Sequence, residues 1–174
     1  MFSAEKEMVS SFEDAEALEN SMARLYGEYS RRISYPKGKD VMRFLMDAEK
    51  GHLNFLKVQE SNFLQGRKIL SKLSERPFRE SGKAFNDTIN TLEGDITLLE
   101  SAEALEKADV QYYRLAVKKA RAKDAKALFE TLKSLEFAHL SLISKTIKSA
   151  REEGMAITSV QPKVLFSSMV RAKR

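Results

Sequence analysis

The chain contains no cysteine, three prolines, seven glycines and only two histidines among 174 residues. Without cysteine there can be no disulfide framework, no iron–sulfur cluster and no iron site held by four thiolates. So little Pro and Gly leaves room for long uninterrupted helices, and the residues between them are mostly Ala, Leu, Glu, Lys, Met and Ser. No stretch approaches the ~20 apolar residues needed to span a bilayer. Residues 1–7 are charged and lack the apolar run of a secretory signal, so a soluble cytoplasmic protein is expected. Charge is not strongly one-sided: the net charge is +5, with 32% charged residues of both signs. Such a balance reads as solvated helix faces, and no nucleic-acid partner is expected. With 43% hydrophobic residues, the length suits one domain with a single well-buried core.

The 3.6-residue apolar period predicts an all-α chain of four long helices. The first covers about residues 8–33, with Phe12, Ala15, Leu18, Glu19, Met22, Leu25, Tyr26 and Tyr29 along one stripe. Pro36 and Gly38 interrupt it, and Asp40 is the expected N-cap of a second helix fading near Leu73. Residues 74–90, with Pro77 and Gly82, read as a long crossover. A third helix is expected over 91–122. Asp124 is expected to cap a fourth, ended by Gly154. The predicted organisation is a helical bundle over 1–154 and a basic tail over 155–174.

The two histidines carry the functional signal. His52 and His139 each follow a glutamate by three residues, Glu49 and Glu136, and the two pairs lie 87 positions apart. The same offset relates two identical pentapeptides, Ala-Glu-Ala-Leu-Glu at 15–19 and at 102–106, so the chain reads as a duplicated half. Positions i and i+3 share a helix face, so each Glu-x-x-His offers a carboxylate and an imidazole to one point. Glu19 and Glu106 precede these motifs by 30 residues each. Residues equidistant from the turn of an antiparallel pair lie side by side. The midpoint of Glu19 and Glu49 is residue 34, and that of Glu106 and Glu136 is residue 121, both beside predicted turns. All six side chains therefore converge near mid-bundle, about 22 Å from each turn. One Glu from each of two helices and a Glu-x-x-His from each of the others is the ligand set of a carboxylate-bridged two-metal site in a four-helix bundle. Four buried carboxylates need compensating charge, which two divalent ions supply. Oxygen-rich ligation with one His per ion suits iron, or a mixed iron–manganese pair, better than zinc. Glu49 and Glu136 are expected to bridge, and Glu19 and Glu106 to bind as terminal ligands.

Over about residues 8–153 the sequence resembles the rubrerythrin-like branch of the ferritin-like superfamily. The resemblance rests on Glu19 with Tyr26 seven residues on, Glu49-Lys50-Gly51-His52, Glu106 with Tyr113 seven residues on, and Glu136-Phe137-Ala138-His139. It implies a ferritin-like bundle of two duplicated antiparallel hairpins joined by a long crossover. It also implies a non-haem di-iron centre that reacts with hydrogen peroxide or dioxygen, without haem. The family's rubredoxin domain, with its four-cysteine iron, is absent here, so electrons would come from a separate donor protein. The family's extra glutamate three residues after the third-helix ligand is Asp109 here, and its counterpart in the first half is Met22.

Tyr26 and Tyr113 occupy repeat-equivalent positions, and each is either a hydrogen-bond partner of a metal-bound carboxylate or ordinary core. Asp109 is either a ligand or ligand partner, or a helix-face partner of Arg114 or Lys107. Met22, Met42, Met46, Leu25, Leu45 and Phe137 read as packing, and Tyr112 as packing on another face. The tail, with Lys163, Arg171, Lys173 and Arg174 around an apolar Val164-Leu165-Phe166, is expected to be a short strap with a solvated basic end rather than a dock for a membrane or acidic donor. The expected activity is peroxide reduction by a di-iron centre, and a homodimer is the expected assembly. The alternatives are a ferroxidase or iron-handling protein using dioxygen and, behind it, a small di-metal oxygenase.

Overall fold

The computed structural model describes residues 3–83 and 89–171, with side chains for 5–83 and 91–156. It is all-helical, with no strand among the described residues: α1 (Ser3–Arg32), α2 (Pro36–Leu64), α3 (Ile89–Lys119) and α4 (Lys123–Arg171). α1 packs along α2 and α3 along α4, and the two pairs meet through α2 against α4 and α1 against α3.

Local chemistry sets the helix ends, and at three of them it differs from the sequence expectation. α2 begins at Pro36 rather than near Asp40, because a proline at the first helical position has no amide to leave unpaired. The helix entry is capped from elsewhere: Oδ2 of the buried Asp95 on α3 accepts the Ser34 and Tyr35 amides at 2.9 and 2.6 Å. Asp40 instead lies inside α2 and accepts the Ser81 amide at 2.8 Å. At its far end α2 stops at Leu64, nine residues before Leu73. Gly66 takes a left-handed φ of 65°, the Gly66 amide donates to Phe63 O at 3.0 Å, and that of Arg67 donates to Asn62 O at 2.8 Å. These paired bonds close a helix C-terminus on a glycine.

Gly154 does not end α4, which runs on to Arg171. It has no left-handed φ and is buried, and a Cβ there would stand 3.4 Å from Leu92 Cδ2. This glycine lies inside the helix, where a Cβ would make only an ordinary contact with Leu92, and does not terminate it. The tail boundary at residue 155 therefore falls within a helix. Lys163, Val164, Leu165, Phe166 and Arg171 lie beyond the described side chains, and Lys173 and Arg174 outside the described residues altogether.

The core has two apolar ends. One gathers Met22, Tyr26, Ile33, Tyr35, Leu45, Leu92, Leu99 and Ile147 around the first turn. The other gathers Phe12, Leu56, Tyr113, Leu128, Phe129 and Leu132 toward the second. Between them lies a belt of buried polar side chains: Glu19, Glu49, His52, Glu106, Asp109, Glu136 and His139. Met22, Met42 and Leu45 are buried, and Met46 packs against them. Phe137 is not packing: it is 63% exposed, because the next position from Glu136 on α4 faces outward.

The described crossover, residues 67–83, has no regular structure and is mostly exposed, but several of its side chains and amides hold it to the bundle. Ile69 and Leu73 join one apolar end, and Phe78 packs edge-on against Phe44 at the other, with ring centroids 5.6 Å apart. The Leu70 amide donates to the buried Gln59 Oε1 at 2.7 Å.

Candidate metal centre

The structure brings the six predicted ligand residues together in two overlapping clusters. Glu19, Glu49, His52 and Glu136 form one, and Glu49, Glu106, Glu136 and His139 the other, each with its ligand atoms within 4.8 Å of one another. Each cluster could hold a metal ion, and the two share Glu49 and Glu136. The i, i+3 spacing on α2 and α4 turns the glutamates and histidines the same way. The turns at 33–35 and 120–122 lie at the expected midpoints, so α1 and α3 bring Glu19 and Glu106 level with them.

The Nδ1 atoms define the geometry. His52 Nδ1 lies 3.0 Å from Glu136 Oε1, 3.2 Å from Glu49 Oε2 and 3.3 Å from Glu19 Oε2. His139 Nδ1 lies 3.1 Å from Glu136 Oε2, 3.3 Å from Glu49 Oε1 and 3.9 Å from Glu106 Oε2. One ring nitrogen can donate one proton, so three carboxylates around it cannot all be satisfied by hydrogen bonding. Glu49 Oε1, Glu106 Oε2 and Glu136 Oε1 are buried and accept no hydrogen bond. A divalent cation among hard oxygen donors and one imidazole fits this donor set.

The metal-free electrostatics express the same crowding. Burial raises Glu19 and Glu106 well above the usual carboxylate range, with Glu136 adding repulsion to both. Burial opposes ionisation of Glu49 too, but the adjoining Glu19 carboxyl and the His139 and His52 rings hold it well below that range. Both imidazoles are burdened by burial, yet the surrounding carboxylates push them well above the ordinary histidine value.

The tyrosines reach across the molecule. Tyr26 on α1 donates to Glu106 Oε1 on α3 at 2.5 Å, and Tyr113 on α3 donates to Glu19 Oε1 on α1. Each half thus supplies the phenol that orients the other half's glutamate. Asp109 is buried but belongs to neither cluster. The helix-face partners expected for it are engaged elsewhere: Lys107 pairs with Glu103 at 2.7 Å, and Arg114 donates to Gln111. Tyr112 is half-buried at the apolar end near α1, its hydroxyl 3.4 Å from Ser11 O.

Sequence reasoning missed Glu75. This crossover carboxylate places Oε1 2.5 Å from His52 Nε2, and its two oxygens 3.1 and 3.0 Å from His139 Nε2. The two imidazolium-prone rings hold its carboxyl down at about 2, against the opposing effect of burial. A cavity of about 750 Å³ lies between crossover and α2, lined by Phe44, Gly51, His52, Glu75, Arg76 and Arg79 among others. Glu75 and the His52 ring both line this space. The only sequence signal for Glu75 is an acid between apolar Leu73 and Phe78 in a mainly basic segment.

No family model matches the chain, and no curated protein or solved structure matches it either. What stands is the class: among the described residues, an all-helical protein of four helices with buried Glu/His clusters that could hold metal. Among the described residues, no helix is long and apolar enough to cross a membrane.

Proposed function

We propose that this chain is a di-iron oxidoreductase of the rubrerythrin-like, ferritin-like kind, which reduces hydrogen peroxide with electrons from a separate donor protein. The observation that carries it is the pair of Nδ1 atoms, each facing three carboxylates, with three buried carboxylate oxygens left without a hydrogen bond. Glu19, Glu49, His52 and Glu136 would hold one ion, and Glu106, Glu136, Glu49 and His139 the other. Two divalent cations would balance four glutamates, and the oxygen-rich set favours iron or manganese over zinc. The pairing of α1 with α2 and α3 with α4, and the reciprocal tyrosine bonds, support a ferritin-like arrangement of duplicated hairpins.

An iron pair at this position would supply the two electrons that, with two protons, convert peroxide to two waters. The protein's own residues set the conditions. Tyr26 and Tyr113 fix the outer glutamates from the opposite half, so both can be oriented before metal arrives. The apolar ends keep bulk water from the carboxylates, which strengthens their electrostatic contacts. This sequence has no cysteine to relay electrons by thiolate, and the proposal assigns their delivery to a separate donor protein.

The test is anaerobic Fe(II) loading followed by parallel stopped-flow mixing with peroxide and with dioxygen. The proposal expects two irons per chain, faster oxidation by peroxide, and turnover when a reductant is added. Faster oxidation by dioxygen would instead favour a ferroxidase. Peroxide consumption no greater than that of free iron would end the proposal.

A further inference from the structure

We infer that Glu75 is a positioning residue shared by both imidazoles, so that the crossover is part of the metal centre and its closure is linked to metal binding. This rests on the di-metal reading above.

A histidine that gives a lone pair to a cation from Nδ1 must carry its proton on Nε2, and that N–H needs an acceptor when buried. His52 and His139 are both about 1% exposed, and their rings stack 5.5 Å apart with planes 9° from parallel. Their Nε2 atoms therefore point the same way, and a single carboxylate meets both. In the usual arrangement each ligating histidine has its own acceptor. Here one side chain fixes the tautomer and orientation of two, one on each cluster.

That side chain comes from a segment without helix or strand, so its position depends on tertiary grips. Ile69 and Leu73 hold the crossover on one side of Glu75, and Phe78 on Phe44 holds it on the other. The Leu70 amide on Gln59 and the Ser81 amide on Asp40 fasten the two flanks to α2. Closing this strap keeps the proton on Nε2 of both rings, so that Nδ1 is the atom that gives up its proton and binds the cation. By reciprocity, metal binding must favour the closed strap to the same degree.

The experiment is anaerobic Fe(II) titration of the full chain and of Glu75→Ala and Glu75→Gln, combined with amide hydrogen exchange at Leu70 and Ser81 with and without metal. The expected result is two irons per chain in every form, with both affinities about 10–100-fold weaker in Glu75→Ala. Glu75→Gln, with one acceptor oxygen for two N–H groups, should fall between. Metal should slow exchange at Leu70 and Ser81 in the parent chain and much less in Glu75→Ala. Should the alanine variant not fold, the near-isosteric glutamine variant carries the same test. Unchanged affinity with unchanged exchange would overturn the inference while leaving the centre intact. Loss of one whole iron in Glu75→Ala would overturn it differently, by making Glu75 a ligand. A parent chain that takes up no metal would remove the centre and the inference together.

Discussion

In the α1–α2 pair the turn at residues 33–35 is mostly buried, and Asp95 holds two of its amides. In the α3–α4 pair the turn at 120–122 is mostly exposed, and the Ala120 amide simply bonds back to Ala116 O at 2.9 Å. The ligand spacing of the two pairs is identical, so the difference lies in what surrounds it. The offset of 87 that relates the histidines sets Asp95 against Met8 and Asp109 against Met22. At both positions the first half has a methionine where the second has a buried acid. The duplication thus keeps the glutamate–histidine geometry and varies the lining: Asp95 serves the opposite pair's turn, and Asp109 adds a carboxyl on one side of the glutamate–histidine clusters only.

The largest effects should come from the residues that both clusters share. Glu49→Ala and Glu136→Ala each remove an oxygen pair from both clusters, so each variant should lose both irons and at least ~100-fold of peroxide turnover. Glu19→Ala and Glu106→Ala each touch one cluster, and should lose one iron each. Metal analysis after anaerobic loading separates these outcomes. A Glu49→Ala chain that still binds two irons would mean the halves hold their ions independently.

The two turns should respond unequally. Asp95→Ala strands two amides at the start of α2 and should cost about 1–3 kcal/mol in urea unfolding. Asp124→Ala, in the exposed first turn of α4, should stay within about 0.5 kcal/mol of the parent. Equal losses would show that the buried turn contributes no more than the exposed one. The tyrosines, by contrast, should behave alike. Tyr26→Phe and Tyr113→Phe each remove one hydrogen bond to the opposite glutamate, and each should cost about 1 kcal/mol in metal-free protein. A marked inequality would mean that the reciprocal bonds are not equivalent.

The helices and the six glutamate and histidine side chains were legible in the sequence for one reason. Helical spacing turns sequence distance into direction, and the repeat offset supplies a second, independent match. The turn midpoints then follow from arithmetic. Glu75 and Asp95 were not legible, because neither meets its partners at a helical spacing. Glu75 reaches His139 from 64 residues away out of an irregular strap, and Asp95 serves backbone amides 60 and 61 residues away. Helix ends were misplaced where one residue has two uses. Gly66 and Gly154 are the same residue type beside helical patterns, yet one takes a left-handed φ and stops α2 while the other packs against Leu92 within α4. Phe137 points outward although it is apolar, because its neighbour Glu136 already fixes the buried face of α4.

The subtlest difference between the halves is the acid at Asp109. In metal-free protein burial pushes its carboxyl up to about 8, and the negative Glu136 and Glu49 push in the same direction. The folded chain therefore keeps a proton there that the unfolded chain has released from about pH 4 upward. Such a group favours folding fully at low pH, and its contribution falls as pH rises toward about 8. The amide introduced by Asp109→Asn has no proton to lose. In the presence of chelator, the urea midpoint of the parent chain should therefore decline relative to that variant between about pH 4 and pH 8. Parallel midpoints across that range would mean that Asp109 ionises as it does in water and is not confined by the carboxylate belt. Asp109→Met makes the position the same in both halves and removes the titration altogether. If the two ions of the loaded parent differ in affinity and those of Asp109→Met do not, this one carboxyl is what makes the two metals unequal.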